Sequence, residues 1–222
     1  MKDVVLDSVD LRGANMENTT GVYITKNSIM TDGKIQNFSM ASSADNFSIR
    51  KYTPATEGGA TISAKFAENA LVSGDATLTL EQGAEVEVVD NAMLSFGAES
   101  TLLVNTDRDG STSLSIASGA GISFENGAAL VVNIIDENSA VNTDGFTFAI
   151  MNWNEDSRIS GLGDFVLDKT IFLNLNGVAF TKEWSYIVKD NSLIIAAVPE
   201  PATYAAVFGA LALALAVARR RR

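Results

Sequence analysis

The fold is decided by residues 77–132, which read TLTLEQGAEVEVVDNAMLSFGAESTLLVNTDRDGSTSLSIASGAGISFENGAALVV. Pairs of apolar residues two positions apart recur along this stretch, and the first members of successive pairs are 8, 8, 8, 12, 8 and 8 residues apart. Alternation of apolar and polar residues is typical of short strands that bury one face. The pairs are Leu78/Leu80, Val86/Val88, Leu94/Phe96, Leu102/Val104, Leu114/Ile116, Ile122/Phe124 and Leu130/Val132.

The corners between these strands carry glycine, which adopts tight turns that other residues resist. Hairpin signals of the Asn-Gly or Asp-Gly type occur only at Asp109-Gly110 and Asn126-Gly127 in this region, which disfavours a meander. The pattern favours an all-β fold, a right-handed parallel β-helix with three strands in a coil of about 24 residues. A β-sandwich or another all-β fold is the alternative. Gly-Ala precedes several of the strands, at Gly83-Ala84, Gly97-Ala98, Gly119-Ala120 and Gly127-Ala128.

Three strands per coil also predict which residues stack. Each strand should lie directly above the strand that comes three strands earlier, so that inward side chains form columns. Thr101, next to the inward Leu102, should point to solvent. The predicted columns are Leu78–Leu102–Leu130, Val86–Leu114 and Leu94–Ile122.

The chain divides into four regions. Residues 70–135 hold the repeats, residues 1–69 form an irregular β region, residues 136–197 form a C-terminal β segment or cap, and residues 198–222 form a distinct tail. The opening residues MKDVVLD lack the apolar core and small-residue cleavage site of a signal peptide, so we expect a truncated or misplaced N-terminus. Strands are also predicted at Val4–Leu6, Val22–Ile24, Phe38–Met40, Phe47–Ile49, Phe146–Met151, Asp164–Leu167, Ile171–Leu175, Trp184–Val188 and Ser192–Ala196.

Composition excludes several classes of function. The chain of 222 residues carries 27 acidic and 16 basic residues, a net charge of −11, which disfavours nucleic acid as a partner. It contains neither cysteine nor histidine, which excludes disulfides, zinc–thiolate sites and the Ser/His/Asp and Cys/His catalytic arrangements. It also lacks a glycine-rich phosphate loop. We therefore expect a protein that is not an enzyme.

The tail begins with a long apolar run. Residues 202–218 are 17 residues without a charge, at the short end of the range for a helix that spans a membrane. Alanine and leucine dominate the run and favour helix. Arginines should stay on the cytoplasmic side, which predicts a single transmembrane helix with the rest of the chain outside. The arginines that follow the run are Arg219, Arg220, Arg221 and Arg222.

A proline-rich motif, Pro199-Glu200-Pro201, directly precedes this run. The motif, the apolar helix and the arginine cluster stand in an order and spacing that resemble the PEP-CTERM sorting signal of Gram-negative bacteria. The resemblance implies export, transient anchoring in the inner membrane, and processing near Pro199, Glu200 and Pro201 by an exosortase. It further implies delivery to the cell surface or extracellular matrix, often among exopolysaccharide. The body is loosely similar to the β-helical passenger repeats of autotransporter-like proteins.

The single 12-residue step contains a candidate calcium site. Asn105, Asp107 and Asp109 place oxygen ligands at alternating positions before Gly110, as a calcium loop begins. The twelfth position, where an EF-hand needs glutamate, is Ile116, so the loop is not an EF-hand. A solvated turn is the alternative, because Asp, Asn and Gly are common turn residues. No other cofactor is indicated.

Two tryptophans and three carboxylate pairs are the remaining candidates. Trp153 lies in the polar segment 152–156 and is a candidate for stacking on a sugar ring, with core or cap packing as the alternative. Trp184 alternates with Tyr186 and Val188, which is typical of a core face. The adjacent carboxylate pairs, which glycoside hydrolysis would need, are Glu85/Glu87, Asp107/Asp109 and Glu155/Asp156.

These observations predict an exported structural protein of the cell envelope or extracellular matrix. The first alternative is a surface adhesin that binds carbohydrate or exopolysaccharide. The second is a β-helical enzyme that degrades polysaccharide. The expected partners are an exosortase-type processing enzyme, the inner membrane and, in the adhesin case, glycans.

Overall fold

The computed structural model describes residues 4–16, 23–54, 61–135, 146–161, 171–180 and 184–197. Strands are the only regular secondary structure within these residues, so the all-β prediction is confirmed. The strands are β1 Val4–Asp7, β2 Tyr23–Lys26, β3 Ser28–Ile29, β4 Lys34–Gln36, β5 Ser39–Met40, β6 Asn46–Ile49, β7 Ala64–Phe66, β8 Ala70–Val72, β9 Thr77–Leu80, β10 Glu85–Val88, β11 Met93–Phe96, β12 Thr101–Thr106, β13 Ser113–Ile116, β14 Gly121–Phe124, β15 Ala129–Ile134, β16 Phe146–Trp153, β17 Arg158–Ser160, β18 Ile171–Leu175, β19 Val178–Ala179, β20 Trp184–Lys189 and β21 Ser192–Ala197.

Three sheets organise the body. The eight-stranded sheet has the order β20-β21-β16-β13-β10-β7-β4-β3, the five-stranded sheet β17-β14-β11-β8-β5, and the six-stranded sheet β19-β18-β15-β12-β9-β6. From β4 to β18 the chain enters the three sheets strictly in rotation, and neighbouring strands of this series pair in parallel. The first circuit, β4 to β6, lies within residues 1–69, so it shares its sheets with the regular repeats.

The strand register confirms the predicted columns. Leu102 lies opposite Leu78 in one direction and Leu130 in the other. The other two columns are also observed, Val86 opposite Leu114 and Leu94 opposite Ile122.

The core lies on the inward side of the sheets. In β9, β10, β11 and β13 buried and partly exposed residues alternate strictly, as a strand with one buried face requires. Leu102 is 0% exposed, whereas Thr101 is partly exposed. Among the inward side chains, the rings of Phe96 and Phe124 stack with their centroids 4.8 Å apart. Burial of such side chains, at about 1.5–3 kcal/mol each, is the main force that stabilises the body.

The corners between strands with the eight-residue spacing are β-turns, each of which closes on a small buried residue. The backbone N–H of Ala84 donates to the carbonyl of Glu81, and Ser100 and Ala128 make the equivalent bond to the third residue before them. Their side chains are at most 1% exposed. The left-handed residue usually lies just before the small one, as Gly83 does with φ +75°. Gly97 departs from the prediction, because at its corner Glu99 has the positive φ of 69°.

Antiparallel strands end the series of circuits. β18 pairs with β19, β16 pairs with β21, and β21 pairs with β20, all antiparallel. The strand predicted at Asp164–Leu167 lies outside the described residues. So does the tail at 198–222, which contains the predicted transmembrane helix. Among the described residues no helix is long and apolar enough to cross a membrane.

A buried arginine ties the first strands to later segments. The side chain of Arg12 is 1% exposed, and its Nη2 lies 2.6 Å from Oδ2 of Asp10. Arg12 also donates to the carbonyl oxygens of Ile62 at 2.9 Å and Arg50 at 2.7 Å. Its guanidinium lies over the ring of Tyr52, 5.4 Å from the centroid. One side chain thus satisfies two carbonyl groups that are distant in sequence, which composition alone did not indicate.

Candidate functional site

The candidate calcium loop follows β12 and is held closed by Asp107. Oδ1 of Asp107 accepts hydrogen bonds from the backbone N–H groups of Asp109 and Ser111, each at 3.0 Å. Partial burial raises the pKa of the Asp107 carboxyl. This effect is outweighed by hydrogen bonds that lower the pKa below the ordinary aspartate value of 3.8. They come from the side chain and backbone of Ser111, the backbone of Asp109 and the side chain of Gln82. The geometry is that of a turn capped by an ionised aspartate.

Asn105 has different partners, on the outer face of the six-stranded sheet. Its Nδ2 donates to Oε2 of Glu81 at 2.9 Å, and its Oδ1 accepts from Nδ2 of Asn133 at 3.0 Å. Oδ1 of Asn133 in turn accepts from the backbone N–H of Gly177 at 2.8 Å. We call these four residues the amide ladder. It crosses from strand to strand through β12 and β15, and its hydrogen bonds join successive circuits between residues that lie 24 or more positions apart in the sequence.

The structure therefore gives Asn105 and Asp107 separate hydrogen-bond partners. Among the described residues, no three acidic, histidine or cysteine side chains are grouped closely enough to hold a metal ion. Calcium binding by Asn105, Asp107 and Asp109 stays a prediction. Calorimetric titration of calcium into the protein checks it, and a titration without heat or thermal shift at millimolar calcium contradicts it.

Asp107→Ala should lower the free energy of unfolding by about 1–2 kcal/mol at neutral pH, because two loop N–H groups lose a charged acceptor. A lowered folded-state pKa stabilises the fold above the unfolded-state pKa, and this contribution disappears as the pH falls through the folded-state value. The difference between Asp107→Ala and the unaltered protein should therefore shrink below pH 3.8. Denaturant melts at several pH values measure it. Asp109→Ala, at an exposed position, is the matched control, and a gap that stays constant into acid would contradict the prediction.

Trp153 is placed differently from the sequence prediction. It is the last residue of β16 rather than part of a polar loop, and it lies opposite Ile116 of β13. Its backbone N–H donates to the carbonyl of Asn191 at 2.9 Å. The indole is partly buried and packs against the hydrophobic core. The structure thus favours the packing interpretation of Trp153 over the sugar-stacking one.

An aromatic cleft that the sequence analysis missed lies between β18, β19 and β20. It has a volume of about 450 Å³. The prediction that Trp184, Tyr186 and Val188 share a core face is right only in part. Trp184 and Tyr186 are partly buried and pack against the core, whereas Val188 is 48% exposed. The cleft is lined by Ile171, Phe172, Leu173, Asn174, Ala179, Phe180, Trp184, Ser185 and Tyr186.

The candidate carboxylate pairs lie on the outside of the body. Glu85 and Glu87 alternate with buried valines on β10 and are partly exposed. Glu87 forms an ion pair of 3.4 Å with Lys65 on the neighbouring strand β7. This arrangement supports strand pairing and solubility.

The sorting motif follows directly on the body. β21 ends at Ala197, which lies opposite Phe146 of β16 on one side and Trp184 of β20 on the other. Pro199, Glu200, Pro201 and the four arginines lie outside the described residues. Only Val198 separates the end of this doubly paired strand from Pro199 in the sequence.

Comparison with known proteins identifies this tail. The family model described as the PEP-CTERM protein-sorting motif matches residues 197–222. No curated protein and no solved structure matches the chain. The motif is a substrate signal for exosortase processing, so the recognition made from Pro199-Glu200-Pro201 and the arginine cluster is confirmed. The chain is an exported protein that is sorted through a membrane-anchoring signal at its C-terminus.

Proposed function

We propose that this protein is a non-enzymatic structural component of the cell surface or extracellular matrix of a Gram-negative bacterium. Its body would be a right-handed parallel β-helix that acts as a rigid spacer. The observation that carries the proposal is that β4 to β18 enter three sheets in strict rotation and pair in parallel within each sheet, in a chain with a C-terminal sorting motif.

Several features support the β-helix. A chain that returns to the same sheet in parallel after every third strand needs a crossover each time, and such crossovers are almost always right-handed. Strands stack about 4.8 Å apart, so five circuits rise by about 24 Å. The amide ladder and the inward columns link each circuit to the next, which gives the body stiffness along its axis.

The tail would act as a removable anchor. The 17 uncharged residues at 202–218 can hold the chain in the inner membrane, with the body outside and Arg219–Arg222 in the cytoplasm. An exosortase would then cut near Pro199-Glu200-Pro201 and release the body for transfer to the surface. Because Ala197 is paired on both sides, a cut after β21 leaves the described sheets intact.

Processing is tested by intact-mass measurement of the protein recovered from the native envelope. We expect a mass that lacks the apolar run and the arginine cluster. Replacement of Pro199, Glu200 and Pro201 by alanine is expected to leave the full-length chain in the inner membrane. Full-length, unaltered protein that stays in the inner membrane would contradict the proposal.

A carbohydrate-binding adhesin is the second candidate, and the aromatic cleft favours it. Aromatic walls with a few polar groups, here Asn174 and Ser185, are typical of ligand sites. The experiment is a glycan array with the unaltered protein, Phe180→Ala and Trp153→Phe. Binding that Phe180→Ala abolishes and Trp153→Phe retains supports the adhesin, and an array without any binding contradicts it.

A further inference from the structure

Four pairs of an asparagine or aspartate followed by glycine occur among the described residues. In such a pair the backbone nitrogen of the glycine can attack the side-chain carbonyl carbon of the preceding residue, because glycine has no side chain that hinders the approach. Asparagine is the more labile of the two, since its amide group leaves as ammonia. The four pairs are Asp32-Gly33, Asp109-Gly110, Asn126-Gly127 and Asn176-Gly177.

In three of the four pairs the glycine nitrogen is engaged in a hydrogen bond. A nitrogen held in this way reacts only after its hydrogen bond has broken, which slows the attack. For Asn176-Gly177 the acceptor belongs to the amide ladder. The three bonds run from the N–H of Gly33 to the carbonyl of Met30 at 2.9 Å, from Gly110 to the carbonyl of Asp107 at 3.2 Å, and from Gly177 to Oδ1 of Asn133 at 2.8 Å.

The fourth pair lies at the corner between β14 and β15 and lacks this protection. Asn126 and Gly127 are both exposed, and neither the Asn126 amide nor the Gly127 N–H has a hydrogen-bond partner among the described residues. The N–H of Ala128 donates to the carbonyl of Glu125 at 3.0 Å, and Gly127 has a φ of +98°. These features define a type II turn, whose closing hydrogen bond does not use the N–H of the second central residue.

We infer that Asn126 is a site of spontaneous deamidation, whereas the hydrogen bond of Gly177 protects Asn176. The Gly127 nitrogen forms a bond to Cγ of Asn126 and the Cγ–Nδ2 bond breaks, so that Nδ2 leaves as ammonia with the proton of the Gly127 N–H. Water then opens the five-membered succinimide ring. Cleavage between Cγ and the Gly127 nitrogen gives aspartate, and cleavage between the backbone carbonyl carbon and the same nitrogen gives isoaspartate.

The reaction changes a contact between two circuits. The carbonyl of Gly127 accepts from the N–H of Glu99 at 3.2 Å, and Oε2 of Glu125 accepts from the N–H of Ala98 at 3.4 Å. Deamidation adds a negative charge between these two contacts, and isoaspartate also lengthens the main chain there by one methylene. The inference does not depend on the proposed function, because it uses only the chemistry of this corner.

The test is incubation of the full-length protein in detergent at mildly alkaline pH, followed by peptide mapping with mass spectrometry. We expect deamidation at Asn126 to be at least about fivefold faster than at Asn176, because the Gly177 hydrogen bond must break first. In denaturant, where this bond is absent, the two asparagines should react at similar rates. Equal rates in the folded protein, or a faster reaction at Asn176, would overturn the inference.

Asn126→Gln is the matched control, because glutamine would have to close a less favourable six-membered ring. The unaltered protein should develop a more acidic form on anion-exchange chromatography during the incubation, and Asn126→Gln should develop much less of it. Labelling with protein isoaspartate methyltransferase should fall in the same way. An acidic form that appears at the same rate in both proteins would place the reaction elsewhere and contradict the inference.

Discussion

Leu102→Asp is expected to destabilise the body by several kcal/mol, because it places a carboxylate in a dry column between Leu78 and Leu130 without a partner for its charge. Leu102 is 0% exposed, so the aspartate also loses the burial free energy of the leucine. Denaturant melts of the processed body measure the change in the free energy of unfolding.

Thr101→Asp is the matched control for this substitution. It introduces the same charge one residue earlier on β12, where the side chain is partly exposed and points outward. We expect a change within about 0.5 kcal/mol, as for other surface substitutions. Equal stabilities of the two variants would mean that the inward face of the repeat has been assigned wrongly, and the β-helix proposal would fail with it.

Arg12→Met should lower the free energy of unfolding by about 2–4 kcal/mol. The carbonyl oxygens of Ile62 and Arg50 lose their buried donor, and Asp10 loses its ion pair. The pair with Asp10 contributes less than a fully buried pair, since the Asp10 side chain is 40% exposed. Arg12→Lys should recover only part of the loss, because an ammonium group lacks the planar fork that reaches three acceptors.

Lys34→Met controls for the removal of a positive charge from the same part of the chain. Lys34 is exposed on β4, and its replacement should change the free energy of unfolding by less than about 0.5 kcal/mol. Thermal and denaturant melts of the three variants give the comparison. Arg12→Met with the stability of Lys34→Met would show that the Arg12 contacts do not stabilise the first strands.

Local periodicity in the sequence predicted much of the fold. Because side chains alternate along a strand with a period of two, the apolar pairs indicated which face is buried. Because the pairs recur at regular steps, they also indicated that Leu102 lies between Leu78 and Leu130. The sorting motif was equally accessible, since its parts are contiguous in sequence and act through composition and order.

The corners were predictable only in part. Gly83 and Gly119 have positive φ as expected, but at Gly97 the left-handed residue is Glu99. The repeated feature is the small buried residue that closes each turn, and only the burial of Ala84, Ser100 and Ala128 reveals it. A turn of four residues can distribute its dihedral angles in several ways, so the glycine alone was an incomplete signal.

The sequence by itself determined the all-β class, the inward columns and the C-terminal sorting signal, because each depends on residues that are adjacent or regularly spaced. Only the tertiary structure decided the partners of Arg12, the amide ladder, the aromatic cleft and the position of β20 at a sheet edge. Arg12 and Ile62 are 50 residues apart, and Asn133 and Gly177 are 44 residues apart. Contacts over such separations have no local pattern, because they depend on how the circuits stack and where the last hairpin folds back.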